Sequence, residues 1–404
     1  MTQILQFYKK YSDYNNFLAI IIFLAPLYLL RFSIFNIPTN FLEISILIVL
    51  FFYLIFSQNN KTKIQIEKKY LILIAFLFLG LISSAFYNQN LMQEFGIIKS
   101  WFVFPLIFSF LLIKNVKNIQ NADKILKAYF FSASIISLLG LFFIATNRLT
   151  FDGRLEIFYT SPNYLAMFLA SAVLIGFYFL HSKPASKTLL IIQIIILINL
   201  YFTYSYSAWI AIIFSTILFF LIINKNIFDK KKIIFFSLLI LLLTAFQINN
   251  QKIQDIFNPK NHSSLESRFV IWHSTTKIIT DNFWLGIGPG NFQEKYLEYQ
   301  KYFPPYPEWA VPHPHNIFLA FWLQSGLIGL VSFVLLIIFW LQSVFSKTSK
   351  QKNASQKRLG AFLIIVILYF LIHGMIDTTY WKNDLSLYFW IFFSLGIFFT
   401  NIKD

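Results

Sequence analysis

Residues 311–329 read VPHPHNIFLAFWLQSGLIG. Two histidines set between prolines open onto an apolar run, and a run of roughly 20 such residues is what a helix needs to cross the hydrocarbon core of a membrane. Pro314 suits the first turn of a helix, where its missing N–H costs nothing, so His315 and Asn316 are expected to open this span at its outer end. His315, Leu319, Trp322, Gly326 and Gly329 then share one helical face. Small residues on a face let a second helix come close. Gly326 and Gly329 therefore turn that face inward, with His315 over it about 16 Å from Gly326 by helical rise. His313 lacks that placement and is expected to be a bystander.

The rest of the chain agrees with the reading of this run. Of 404 residues, 57% are hydrophobic and 12% charged, against about 25% charged in a soluble domain. Twelve apolar runs stand out, near 17–35, 41–57, 70–87, 98–113, 126–146, 161–181, 188–204, 207–223, 233–248, 316–342, 359–376 and 385–400. The expected fold is an all-α integral membrane protein with about twelve transmembrane helices and one long extracytoplasmic loop containing short helices. Residues 1–248 form the N-terminal bundle, 249–314 the loop and 315–404 the last helices. The first run has no small-residue cleavage site and is read as a retained span rather than a signal peptide.

Charge sets the expected orientation. With the N-terminus in the cytoplasm, about two-thirds of the 33 basic residues fall on cytoplasmic segments, as the positive-inside rule requires. Outside the long loop only Arg31, Lys99, Arg148, Arg154 and Lys382 break the pattern. The net charge of +16 is thus a topology signal and not a nucleic-acid footprint. Both termini are expected in the cytoplasm and the polar chemistry outside. Cysteine is absent, which excludes disulfides, thiolate nucleophiles and Cys-ligated metal.

The loop holds Glu266, Arg268, His273, Glu294, Glu298, Glu308 and His313. Ser263 and Glu266 have capping-box spacing, and Leu265, Phe269, Trp272 and Ile279 then fall on one helical stripe, so this helix is expected to lie on the outer membrane face or to plug into the bundle. The next stretch, LGIGPGNF at 285–292, carries glycines at 286, 288 and 290. No strand precedes it and Pro289 interrupts it, so it is a tight turn over a site and not a dinucleotide fingerprint.

Three readings of the histidines stand at this point. A His-x-His metal site needs further ligands, and the sequence shows no Asp/Glu/His cluster at matching spacing. An interfacial histidine without chemistry is the second. A catalytic or ligand-binding histidine at the outer rim is the third.

Several segments together resemble the O-antigen ligase family and its polymerase relatives. They are HN-x9-G-x2-G from His315 to Gly329, SRFVIWHSTTKIITDNFWLGIGPGNF at 267–292, DGRLEIFYTSPNYLA at 152–166 and HGMIDTTYW at 373–381. The resemblance covers roughly 152–400. It implies a membrane enzyme that takes a saccharide from a polyprenyl-pyrophosphate carrier and joins it to a sugar hydroxyl of a glycan or glycolipid acceptor, without metal or other cofactor. It implies His315 as base and Arg268 as catalytic arginine. Arg154, Lys99, Asn316, Tyr206 and Asp377 are implied at the pyrophosphate and sugar, and Gly286, Gly288, Gly290, Gly326 and Gly329 as structural. Tyr206, in SYSAWIA, stands where the family often has an arginine, so Arg154, Lys99 or Arg148 would have to supply that charge. Ligase and polymerase remain open. A transporter is the rival class, but transporters place ionisable groups at the membrane midplane, whereas here they cluster at the outer ends of the spans.

Overall fold

Backbone polar groups inside a bilayer have to be satisfied within the segment itself, which leaves long apolar runs as helices. The computed structural model describes residues 14–35, 37–56, 66–88, 90–182, 186–223, 264–304 and 311–402. The helices are α1 (Tyr14–Leu24), α2 (Phe41–Phe56), α3 (Lys68–Asn88), α4 (Leu91–Ile98), α5 (Phe104–Asn115), α6 (Ile119–Ala145) and α7 (Pro162–Ser182). They continue with α8 (Lys187–Phe202), α9 (Tyr206–Ile223), α10 (Ser264–Asp281), α11 (Phe292–Tyr299), α12 (Ile317–Lys350), α13 (Ala354–Gly374) and α14 (Asn383–Asn401). Among the described residues eight helical segments are long and apolar enough to cross a membrane, and three apolar helices are shorter. The chain is a multi-pass membrane protein. The run expected at 233–248 lies outside the described residues, so a count of twelve spans is not established.

Three spans depart from a plain helix, each for an identifiable reason. The first ends at Leu24, gives a 3-10 turn at Ala25–Leu29 with Pro26 in its first turn, and passes into a β-hairpin. Strands β1 (Arg31–Ile34) and β2 (Ile37–Asn40) pair antiparallel, Arg31 opposite Asn40 and Ile34 opposite Ile37. Between α4 and α5 the chain widens into a π-helical turn at Lys99–Val103. Pro105 has no N–H to give to the carbonyl four residues back. That carbonyl, of Trp101, accepts the Tyr380 hydroxyl at 2.7 Å instead.

The third departure is inside α12. Gly326 has φ 65° and ψ −175°, so the helix is broken there. The break is filled by the glycine turn of the long loop. Leu327 N donates to Trp284 O at 3.1 Å, and Ile287 N donates to Leu323 O at 2.6 Å. The turn therefore supplies both halves of the hydrogen bond that Leu327 and Leu323 would make in an unbroken helix. This revises the sequence expectation for Gly326. It does not open a helix–helix seam, because a Cβ there would meet the Leu285 backbone at 3.0 Å. Gly329 does lie on such a seam. A Cβ on Gly80 of α3 would press on Gly329 N at 2.9 Å, so α3 and α12 touch backbone to backbone.

At the centre lies α14, whose side chains from Asn383 to Phe399 are all buried. It has the lowest mean hydropathy of the eight spans, 1.2, and it needs no lipid-facing surface. Its partners include α5 and α13, and Ser394 donates to Ser109 of α5 at 2.6 Å. Trp340 of α12 donates to Phe393 O at 2.9 Å, its ring lying against Gly396.

Candidate active site

The site is assembled where loops leave the helices. Asn316 is the N-cap of α12, its side-chain oxygen accepting from Phe318 N at 2.9 Å and Leu319 N at 3.1 Å. Its amide also donates to Met375 O at 3.0 Å, which ties α12 to the segment after α13. His315 precedes this cap with φ 47° and is not part of the helix. The expected stripe from His315 to the glycines is therefore wrong, because the cap takes the position that the stripe reading gave to the first turn.

The left-handed backbone at His315 turns its ring toward Asp377. Nδ1 of His315 lies 3.0 Å from Asp377 Oδ1. Asp377 is held by its own backbone N–H to His373 O at 3.0 Å, and its Oδ1 also accepts Thr378 N at 2.9 Å. From α10, Arg268 donates through Nε to Ile376 O at 3.0 Å and brings Nη2 to 3.9 Å from Asp377 Oδ2. Trp272, one turn on, donates to Pro314 O at 3.0 Å and fixes the loop from behind. The carboxylate side chain is 1% exposed, while His315 keeps 18% and Arg268 14%. The acid is sealed and the two groups that flank it remain reachable.

His313 is part of this cluster and not a bystander. It is buried, its ring centroid is 4.5 Å from that of His315 and 5.8 Å from that of Tyr164. Burial, with His315 beside it, lowers its pKa to about 3, so it is neutral at working pH. Burial alone would raise the pKa of Asp377, but His315, His313 and Arg268 together hold it well below the usual carboxylate range. His313, His315 and Asp377 offer ligand atoms within 4.8 Å of one another, the third ligand type that sequence spacing did not reveal. Arg268 already faces the second oxygen of Asp377, so an ion bound there would share the carboxylate with a guanidinium.

Arg154 stands close by. It donates from Nε to Thr203 O at 2.8 Å and from Nη2 to Asn163 Oδ1 at 2.5 Å, with Asp152 at 3.9 Å. Burial lowers its pKa, Asp152 and Asp377 raise it, and Arg268 and Tyr206 also act on its charge. Arg154, Arg268, Asp377 and Tyr206 thus share one electrostatic neighbourhood. Lys99 does not join them. Its ammonium is 2.9 Å from the buried carboxylate of Glu43 and donates to Pro38 O at 2.5 Å, tying the π-turn to β2. Arg148 lies over the rings of Phe142 and Phe143.

The glycine turn supports the site from the side. Gly286, Gly288 and Gly290 all have positive φ. Gly288 lies against Glu94 of α4, and Asn291 donates to that carboxylate at 2.6 Å. The turn docks on α4 and on the break in α12 and so locks the loop to the bundle. Helix α10 starts at Ser264, and Ser263 lies outside the described residues. Its buried residues are Ser267, Ile271, Ser274, Thr275, Ile278 and Ile279; of the expected stripe Ile279 is buried and Trp272 packs against the same cluster, while Phe269 is 51% exposed.

Residues 188–334 match the family described as O-antigen ligase. This match and the relatives that follow support the O-antigen ligase superfamily. The matched region takes in Arg268, the glycine turn and His315 and leaves Arg154 and Asp377 outside. Among relatives, the chain is 24% identical over 357 residues to the ComP-specific O-oligosaccharyltransferase of Acinetobacter baylyi, which covers 84% of this chain and 58% of that protein. It is 24% identical over 297 residues to a candidate polysaccharide ligase of Rickettsia bellii, 69% of this chain and 68% of the relative. A similarly named protein of Rickettsia conorii is 26% identical over 299 residues, again 69% and 68%. The structure brings Arg268, His315 and Asp377 together, keeps Arg154 in the same electrostatic neighbourhood, and adds His313, which the sequence reading set aside. The HPH spacing places His313 beside His315, but Asp377, the partner of His315, is 62 residues further along and no local pattern joins them.

Proposed function

We propose that the protein is a glycan ligase that moves a saccharide from a polyprenyl-pyrophosphate donor to a sugar hydroxyl of a cell-surface acceptor, at the outer face of the cytoplasmic membrane. The observation that carries this reading is the His315–Asp377 pair at 3.0 Å with Arg268 on the far carboxylate oxygen. With Nδ1–H directed at Asp377, Nε2 of His315 presents a lone pair. It accepts the proton of the acceptor hydroxyl as that oxygen attacks the anomeric carbon, and Asp377 stabilises the imidazolium that forms. The new bond joins acceptor oxygen to anomeric carbon. The bond from that carbon to the pyrophosphate oxygen breaks, and its electron pair leaves with the lipid pyrophosphate. Arg268 and Arg154 are the groups suited to the charge that develops there, since guanidinium binds phosphate oxygens bidentately. Asn316 and Tyr206 lie at the edges of this reading, the first as a helix cap and the second as a phenol beside Arg154.

The relatives' names favour ligase over polymerase. The test is transfer by the purified protein with a polyprenyl-pyrophosphate glycan, with and without a separate acceptor. Acceptor-dependent product release supports the ligase. Chain growth on the donor alone would move the protein to the polymerase branch, and no transfer under either condition would sink the enzymatic reading.

A further inference from the structure

The cations at the site are not equally available to an anion. Arg268 shares Asp377 and Arg154 shares Asp152, so each guanidinium is already partly balanced by a carboxylate. Lys99 is paired with Glu43. Lys382, at the N-cap of α14, is different. Its ammonium donates to Thr160 Oγ1 at 2.8 Å and lies 3.8 Å from the centroid of the Tyr164 ring. No carboxylate lies within ion-pair distance of it among the described residues. Tyr164 also contacts His313, ring centroids 5.8 Å apart, and Lys382 is close enough for its charge to oppose a proton on that imidazole. Lys382, Tyr164, His313 and His315 therefore run as a continuous chain of contacts into the proposed base. The Tyr164 face holds the ammonium electrostatically without neutralising it. A half-buried cation so held, with positive helix-end dipoles behind it, is a seat for an anion.

We propose that Lys382, seated between Thr160 and Tyr164, is a ligand for the phosphate of the donor on the His313 side of the site. The inference rests on the ligase reading and adds to it a cation that no sequence pattern marked. Both arginines bring an ion-paired carboxylate with them, and Lys382, which feels Asp384 without an ion pair to it among the described residues, adds a further charge for the pyrophosphate.

The test is calorimetric titration of inorganic pyrophosphate into the full chain, in nanodiscs of phosphatidylcholine alone and of phosphatidylcholine with phosphatidylglycerol. Lys382→Met is expected to weaken pyrophosphate binding about tenfold or more in both membranes, the scale of one charge-assisted contact. Lys382→Arg is expected to retain it. Binding unchanged in Lys382→Met overturns the proposal, and so does an effect confined to phosphatidylglycerol discs, which would make Lys382 a headgroup contact. A second measurement covers poor folding of Lys382→Met. Burial lowers the Lys382 pKa to about 8, with Asp384 opposing and Arg31 assisting that shift, while Thr160, Tyr164 and His313 complete its surroundings. Wild-type affinity is therefore expected to fall relative to Lys382→Arg between pH 7 and roughly 9.5, because a guanidinium stays charged. Parallel curves overturn the assignment. Glycan transfer is measured on the same wild-type preparation. Transfer with Lys382-independent binding removes Lys382 and leaves the ligase reading standing, whereas absence of both transfer and binding removes both.

Discussion

At the scale of the residue, the proposed role of His315 rests on Asp377. A carboxylate with 1% of its side-chain surface exposed, accepting from Thr378 N and facing Arg268, has little freedom to do anything except orient the imidazole. Asp377→Asn keeps the shape and loses the charge, and is expected to lower kcat by about a hundredfold or more, in the range of a general-base contribution. Steady-state transfer rates check this, and an unchanged rate would take Asp377 out of the reaction. His313 makes a different prediction. Its folded pKa is lowered from 6.5 to about 3, so as pH falls below 6.5 the unfolded chain takes up a proton that the folded one refuses. Stability is therefore lost progressively from there down to about pH 3. The depressed Asp377 acts in the same sense at lower pH, below its ordinary 3.8. The melting temperature of the wild type is expected to drop between pH 7 and 4, and that of His313→Gln to drop less. Equal slopes would mean that His313 is solvated in the membrane-bound protein.

At the scale of the element, the break in α12 is the joint that connects the loop to the bundle. Gly326→Ala puts a Cβ at φ 65° and 3.0 Å from the Leu285 backbone, and is expected to cost about 1–3 kcal/mol. It is also expected to reduce transfer, since the glycine turn would be pushed away from α12. Gly96→Ala is the internal control. It lies in α4 with nothing within 4 Å of its would-be Cβ, and is expected to stabilise by about 0.5–1 kcal/mol. Thermal unfolding of the two variants separates strain at the joint from a general effect of removing glycine. If both shift alike, the break in α12 is not under the constraint described.

At the scale of the whole molecule, the distribution of basic residues predicts one orientation, and the absence of cysteine makes that simple to test. Thr276→Cys, exposed on α10, is expected to react with a membrane-impermeant maleimide in spheroplasts. Ser349→Cys, exposed at the other end of α12, is expected to react only after permeabilisation. The reverse pattern would invert the bundle.

Much of this was legible in the sequence because membrane spans are a one-dimensional property. Hydrophobic length identified the apolar helices, the charge distribution gave a single expected orientation, and the segments around Arg268, the glycine turn and His315 marked the family. The sequence could not place what depends on chain crossings. Pro314 looked like the first turn of a helix, but Asn316 bonds both the α12 N-terminus and Met375, and that pair of bonds, not periodicity, starts the helix one residue after Asn316. Gly326 looked like a seam residue because a helical wheel assumes an unbroken helix, while the loop backbone had replaced one of its hydrogen bonds. His313, Asp377 and Lys382 carry no shared spacing, and they meet only because α12, α13 and α14 end together. The sequence by itself determined which segments are apolar enough to enter a membrane, since that depends on local transfer free energy. Only the tertiary structure decided which polar groups face one another, since burial removes water as a partner and leaves each group to be satisfied by whatever the fold brings to it.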